Sequence, residues 1–176
     1  YEEEIRMFYG RWDEMLGDQI QSTVDLLKQC TVNPNYKVVA LTNWSHETFP
    51  KAIAKFEFLQ WFEGILVSGE EKTRKPFAEI YELTLSRFDL KAEESLFIDD
   101  NLRNINAAKE FGISCIHFSS PEQLREELIK DISKSLENAY PITSNKITQI
   151  IVDSFDEYEC ENKVGEYANS LKSKCK

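Results

Sequence analysis

Leu96-Phe97-Ile98-Asp99-Asp100-Asn101 sets an apolar run directly against two adjacent carboxylates. The apolar residues read as a buried strand, because strands covered on both faces are continuously apolar rather than alternating. The two acids need an explanation, since like charges side by side repel and raise each other's pKa. An ordinary use for Asp100 or Asn101 is to cap a helix, and Leu102, Ile105, Ala108 and Phe111 follow at helical spacing. A second use for the pair is to hold a divalent cation, whose charge offsets the repulsion.

Outward from this stretch the chain alternates. Tyr36 to Thr42 (YKVVALT) is an apolar run of strand length, with Ser45 as candidate N-cap of a helix reaching about Trp61. Gly64 to Ser68 (GILVS) is the next strand, and a loop over 69–75 leads to Pro76, suited to the first turn of a helix through Ile80, Leu83 and Arg87. Ser95 to Ile98 is a third strand. The helix from Leu102 to Phe111 stops at Gly112, Ile113 to Phe118 is a fourth strand, and Pro121 opens a helix to about Lys130. This alternation predicts a parallel sheet covered on both faces, an open doubly wound α/β domain in which ligands bind beyond the carboxyl ends of the strands. Ahead of it, 2–16 and 18–30 read as amphipathic helices, the second with Ile20, Val24, Leu27 and Cys30 on one face, until Asn33-Pro34-Asn35 stops the pattern. Past Lys130 the pattern weakens: Lys146 to Val152 (KITQIIV) is strand-like and expected at a sheet edge or in a loosely ordered tail, and Glu157 to Leu171 is a polar helical stretch.

The 176 residues suffice for one sizeable core and a small appendage. Hydrophobic content of 41% with 12% aromatics is globular, and the net charge of −10 argues against nucleic acid or an anionic membrane as the main partner. No apolar run reaches membrane-spanning length and Tyr1-Glu2-Glu3-Glu4 does not resemble a leader, so the expected location is cytoplasmic. Cys30, Cys115, Cys160 and Cys175 are widely spaced, and neither His46 nor His117 completes a zinc pattern with them. They read as reduced thiols, with Cys115 in the core. A first residue that is not Met raises the expectation of a fragment; oligomeric state is not legible.

Three strand ends or following loops carry polar groups that a parallel sheet would bring to one rim. These are Thr42-Asn43, Lys75 before Pro76, and Asp99-Asp100. Each has an ordinary reading as a turn, a cap or a helix start. As a set they suit phosphoryl transfer, where positioning and charge neutralisation supply most of the catalysis. The Thr42 hydroxyl and the Asn43 backbone N–H would donate to phosphoryl oxygens of a small phosphorylated substrate. Lys75 would screen its charge, and Asp99 and Asp100 would offer hard oxygen ligands to Mg²⁺.

LTNWSHETFP, SGEEKTRKPFAEIYEL and LFIDDNLRNINAAKEFGI resemble, in wording and spacing, the haloacid dehalogenase-like hydrolase superfamily in its helical-cap branch. The resemblance covers about residues 1 to 130. It implies a helical-cap remnant over 1–30, the α/β core over 31–130 and an extension of unknown structure over 131–176. Thr42, Lys75, Asp99 and Asp100 match the family's second, third and fourth motifs. The first motif, an Asp-x-Asp ending the central strand and supplying the nucleophile, has no match before Thr42; Asp13 and Asp18 lie in helical patterns. The resemblance therefore implies that the nucleophile-bearing segment is absent, that this chain alone is inactive, and that the sheet has two unpaired inner edges. A rearranged chain offers one substitute, Asp153 after Ile150-Ile151-Val152. Phe155 then stands where a second acid belongs, and no Gly-Thr follows.

By the same resemblance the complete protein is expected to hydrolyse a phosphomonoester of a small metabolite with Mg²⁺, through an aspartyl-phosphate. The alternatives are a metal-independent 2-haloacid dehalogenase, a class that commonly has Ser where this chain has Asp99, and a non-catalytic remnant that binds a partner or a phosphorylated ligand. Tyr9, Trp12 and Trp44 are candidates to line a substrate pocket, though packing is the commoner role for such aromatics. His46 is assigned no catalytic role, and the run Glu122 to Glu127 reads as a solvated helix face.

Overall fold

The computed structural model describes residues 2–137 and 149–152. Three helices come first, α1 (Glu2–Gly10), α2 (Trp12–Met15) and α3 (Gln21–Thr31). The alternating part runs β1 (Lys37–Thr42), α4 (Phe49–Lys55), β2 (Gly64–Val67), α5 (Ser68–Glu71), α6 (Ala78–Arg87), β3 (Ser95–Asp99), α7 (Leu102–Glu110), β4 (Ser114–His117) and α8 (Pro121–Glu137). A last strand, β5 (Gln149–Val152), closes the described chain.

The sheet has five parallel strands in the order β2-β1-β5-β3-β4. It is the expected parallel α/β architecture, with one correction of consequence. KITQIIV was expected at an edge or in a tail, yet Gln149–Val152 is the central strand, paired to β1 on one side and β3 on the other. The inner edges of β1 and β3 are consequently both covered. The polar stretch over 157–171, with Cys160 and Cys175, lies outside the described residues.

The composition of β5 explains its place. Successive side chains of a strand point to opposite faces, so a central strand in a sheet covered on both sides must be apolar at consecutive positions. Ile150 faces the layer holding Val38 and Leu96, and Ile151 the opposite layer, with Val39 and Phe97. The ladder places these as direct neighbours: Val38, Ile150 and Leu96 in one row, Val39, Ile151 and Phe97 in the next. Burying each isoleucine is worth about 1.5–3 kcal/mol. Apolarity does not fix the register, because a slip by one residue exchanges one isoleucine for the other. Gln149 does: its Oε1 accepts from the Lys91 backbone N–H at 2.8 Å and from the Ser95 hydroxyl at 2.9 Å.

Two apolar layers sandwich the sheet. On one face α6 and α7 contribute Ile80, Tyr81, Ile105 and Ala108; on the other α3, α4 and α8 contribute Val24, Phe49, Ala52, Leu124 and Leu128. Trp12 and Leu16 join the second layer, so the N-terminal helices pack on the core itself. They are held there further by Lys51 Nζ to the Tyr9 carbonyl at 2.6 Å and Lys55 Nζ to the Leu16 carbonyl at 2.5 Å. In α3 the expected face is rotated: Val24 and Leu26 are buried, Leu27 and Cys30 pack partly, and Ile20 sits outside the helix in solvent. Ser45 does not cap a long helix. It turns the chain, its carbonyl accepting from Thr48 and Phe49, and α4 gives way after Lys55 to a 3₁₀ turn over Glu57–Trp61. Gly112, at φ +78°, ends the α7 segment in the left-handed region that favours glycine.

Candidate active site

Strands β1 and β2 run outward from β5 in one direction and β3 and β4 in the other, so the winding reverses at the sheet's centre. Such a switch point opens a crevice at the carboxyl ends of the strands. Thr42 and Asp99 are the last residues of β1 and β3 and are buried there, Asn43 follows Thr42, and Asp100 follows Asp99 into solvent.

Lys75 arrives from the loop between α5 and α6. Its side chain is fully buried, and its Nζ donates to Asp99 Oδ2 at 3.0 Å and to the Leu41 carbonyl at 3.1 Å. Ala40 and Ile98 are the register partners of Val152, so the ammonium bridges the flanking strands one residue beyond the end of β5. A lone buried ammonium would be costly, and the ion pair with hydrogen bonds makes it tolerable. Asn43 fixes where Lys75 sits: its side chain accepts from the Lys75 N–H at 2.9 Å and donates to the Lys75 carbonyl at 3.1 Å. The sequence pointed to the Asn43 backbone; its side chain has this second use in positioning Lys75.

The Asp99 carboxylate is heavily used. Oδ1 accepts from the Asn101 N–H at 2.7 Å and from Asn104 Nδ2 at 3.2 Å, while Oδ2 accepts from Lys75 and from Asn104 Nδ2 at 3.1 Å. Two acceptances at each oxygen match its ordinary capacity. The repulsion that the Asp-Asp pair raises is thus met at Asp99 by Lys75 and by donors of the next helix. Asn101 caps that helix, accepting from the Arg103 N–H at 3.0 Å. Asp100 is exposed on the same rim, and its carbonyl accepts from His117 Nε2 at 2.8 Å.

The structure therefore brings Asn43, Lys75 and Asp99 into one hydrogen-bonded cluster and places Thr42 and Asp100 as their chain neighbours. Asn104 and His117 were missed in the sequence. Asn104 left a signal, since it is a polar residue on the buried side of an amphipathic helix, one turn after the acidic pair. His117 left none. Trp12 is packing, Tyr9 lies in solvent, and His46 is exposed on the loop after β1. Trp44 is buried, its indole N–H donating to the Thr48 hydroxyl at 2.9 Å, and it stands among the residues around a cleft of about 640 Å³. Cys115 is half-buried; burial pushes its thiol up to about 11. Asp153 lies outside the described residues.

A fit to Mg²⁺ can be judged from the donors. The ion takes one or two carboxylates and otherwise waters and phosphate oxygens. The exposed Asp100 carboxylate suits it; Asp99, with both oxygens already engaged by N–H groups, suits the lysine. Among the described residues no three His, Cys, Asp or Glu side chains gather as an all-protein metal cage, which is the ordinary case for Mg²⁺.

A fold that reverses at its centre, with an ordered lysine–aspartate pair at the strand tips, is a Rossmann-like α/β frame with a cationic group in its switch-point crevice. Comparison with known proteins places it: residues 2–118 match the family model of haloacid dehalogenase-like hydrolases, and the chain belongs to that family. It is 41% identical over 58 residues to the sesquiterpene phosphatase astK of Aspergillus oryzae, covering 33% of this chain and 30% of that protein. It is 26% identical over 116 residues to a phosphoglycolate phosphatase of Photorhabdus laumondii, covering 64% of this chain and 50% of that one. Among solved structures it resembles the family enzyme bt-2542 of Bacteroides thetaiotaomicron in complex with magnesium and inorganic phosphate. That likeness has 27% identity and a TM-score of 0.57, and it covers 65% of this chain and 60% of the enzyme. The chain thus spans half or less of the length of the curated relatives it matches.

Proposed function

We propose that this chain carries the substrate-binding rim of a Mg²⁺-dependent phosphatase acting on a small phosphorylated metabolite. The observation that carries the reading is the Lys75 ammonium, locked between the Leu41 carbonyl and Asp99 at the switch point, with Thr42 and Asn43 alongside. Phosphatase relatives support the reaction class.

In this reading the Thr42 hydroxyl and the Asn43 backbone N–H donate to the phosphoryl oxygens, and the fixed Lys75 charge stabilises the negative charge that develops on them. Asp99 holds Lys75 in place and Asp100 is the carboxylate offered to the metal. Mg²⁺, when bound, neutralises phosphoryl charge and orients the group. Residues 1–30 are read as the end of a helical cap. Hydrolysis needs a carboxylate oxygen that attacks phosphorus as the ester oxygen departs with a proton, after which water releases phosphate. The dehalogenase alternative is disfavoured because an acidic residue stands at position 99.

The source of the nucleophile has two readings. In the first, a strand ending in Asp-x-Asp, absent ahead of Thr42, must be supplied for turnover. One observation favours a second: β5 already occupies the central slot, and the residue that follows Val152 in the sequence is Asp153. Hydrolysis of p-nitrophenyl phosphate with Mg²⁺, set against chloride release from 2-chloropropionate without it, tests the reaction class. Turnover by this chain that disappears in Asp153→Asn supports the second reading, and turnover restored only by adding an Asp-x-Asp segment supports the first. Chloride release without phosphatase activity would overturn both.

A further inference from the structure

The turn after β3 is pinned on both sides of Asp100. The Asp99 carbonyl accepts from the Phe118 N–H at 2.9 Å, the Asp100 carbonyl accepts from His117 Nε2 at 2.8 Å, and the Asn101 N–H donates to Asp99 Oδ1 at 2.7 Å. The Asp100 carbonyl and the Asn101 N–H belong to one peptide unit, and a peptide unit is planar. Holding both of its polar groups fixes the plane. With the preceding carbonyl held as well, the Asp100 Cα has little freedom to turn, and the direction of its Cβ is set.

Among these groups, His117 is the side chain that reaches in from a neighbouring strand. It is the last residue of β4 and the register partner of Asp99. A carbonyl oxygen can only accept, so Nε2 is the ring nitrogen that carries the hydrogen. His117 is itself braced by Gln123, in the first turn of α8. Gln123 Nε2 donates to the His117 carbonyl at 3.1 Å and to Glu127 Oε1 at 2.6 Å, while its Oε1 accepts from the Ser119 N–H at 3.1 Å. The helix start thus fixes the end of β4, and the imidazole on that strand end fixes the Asp100 carbonyl.

Stability alone is a weak reason for such a brace. His117 and Asp100 are both exposed, and an exposed hydrogen bond exchanges one made with water for little net gain. What the bond does control is the direction of Asp100. Mg²⁺ demands near-ideal octahedral geometry, so a carboxylate offered to it works best when its backbone cannot swing. Groups that orient a metal's ligands are commonly worth about 10–100-fold in affinity.

Resting on the phosphatase reading above, we propose that His117 is a positioning residue for the metal site. Its Nε2–H holds the Asp100–Asn101 peptide, so that the Asp100 carboxylate is presented to Mg²⁺ in one fixed direction. The same peptide carries the constraint inward, because its N–H lies on the Asp99 carboxylate that holds Lys75. One histidine on β4 thus keeps the metal-binding acid in register with the ordered lysine.

Titration of the full chain with Mg²⁺ alone tests this, with the dissociation constant read from the Asp100 and Asn101 amides by nitrogen-15 NMR. Saturable binding is expected in the native chain, and His117→Ala is expected to weaken it about tenfold. His117→Gln, whose side-chain Nε2 also carries hydrogens and reaches about as far as the imidazole Nε2, is expected to restore most of the loss. A histidine that served only to pack would show no such rescue, since both variants lose the ring. Native affinity in His117→Ala, or a loss in His117→Gln as large as in His117→Ala, overturns the inference. Asp100→Asn separates it from the underlying reading: if Mg²⁺ binding survives that substitution, or the native chain shows no saturable binding, the metal site is misplaced and both fall. If Asp100→Asn abolishes binding while His117→Ala leaves it unchanged, only the role of His117 fails.

Discussion

The two sides of the rim are built on opposite principles. At Lys75 and Asp99 both charged side chains are fully buried and tied into Asn43, Asn104 and the Leu41 carbonyl. A few residues earlier in the same loop, Lys72 and Arg74 stand in solvent. A buried charge is rigid and expensive to disturb, while an exposed charge contributes little to stability. The loop over 72–75 thus joins a part that must not move to a part that can be exchanged.

Breaking the buried side should have the largest effect. Asp99→Ala removes the carboxylate that pairs with the buried Lys75 ammonium and is expected to lower stability by about 3–5 kcal/mol, read from urea unfolding. The comparison sharpens if Lys75→Met is combined with Asp99→Leu, since removing both charges should recover part of that loss. Ile151→Ala, in the central strand, is expected to cost about 2–4 kcal/mol by the same measurement. A cost near zero would mean that β5 does not hold the slot between β1 and β3.

Gln149→Ala comes next. It removes the acceptor shared by Lys91 N–H and Ser95 Oγ and should cost about 1–2 kcal/mol, with amide exchange accelerating selectively in β5. On the exposed side, Arg74→Gln should leave unfolding within about 0.5 kcal/mol of native.

The smallest effect concerns the end of α5 in acid. Arg87 forms a two-pronged pair with Glu71 at the end of α5, one prong being Nη2 to Oε2 at 2.8 Å. The Arg87 hydrogen bond, ahead of the opposing effect of burial, holds the Glu71 carboxyl below its ordinary value of 4.5. A lowered folded-state pKa means that the contribution is present above the unfolded value and is lost as pH falls through the folded one. The pair is part exposed, Arg87 more than Glu71, so solvent screening limits it to about half a kcal/mol or less. Arg87→Gln should therefore narrow a small stability difference between pH 6 and pH 3.

Much of this was legible before any coordinates. β1 to β4 fall within a residue or two of their expected bounds, because consecutive apolar residues flanked by turn residues leave few other readings. Lys75, Asp99 and Asn43 meet because a parallel sheet sends every strand end to one rim. The place of β5 was not legible by the same route, since strand order is decided by which edges are free, a property of the whole sheet. Its signal was present in the run Ile150-Ile151-Val152, whose two-sided apolarity suits a centre better than an edge. Neither the engagement of Asp99 with the lysine nor the cleft could be read, because both depend on how the loop over 69–75 folds back.

The account stands on a phosphoryl site at the tips of β1 and β3. A residue-resolved test is to follow backbone amides by nitrogen-15 NMR while inorganic phosphate is added to the full chain in the presence of Mg²⁺. Saturable shifts centred on Thr42, Asn43, Lys75 and Asp100 are the predicted result. Saturable shifts confined to α8 or the amino ends of the strands, with the amides at the tips unmoved, would contradict it.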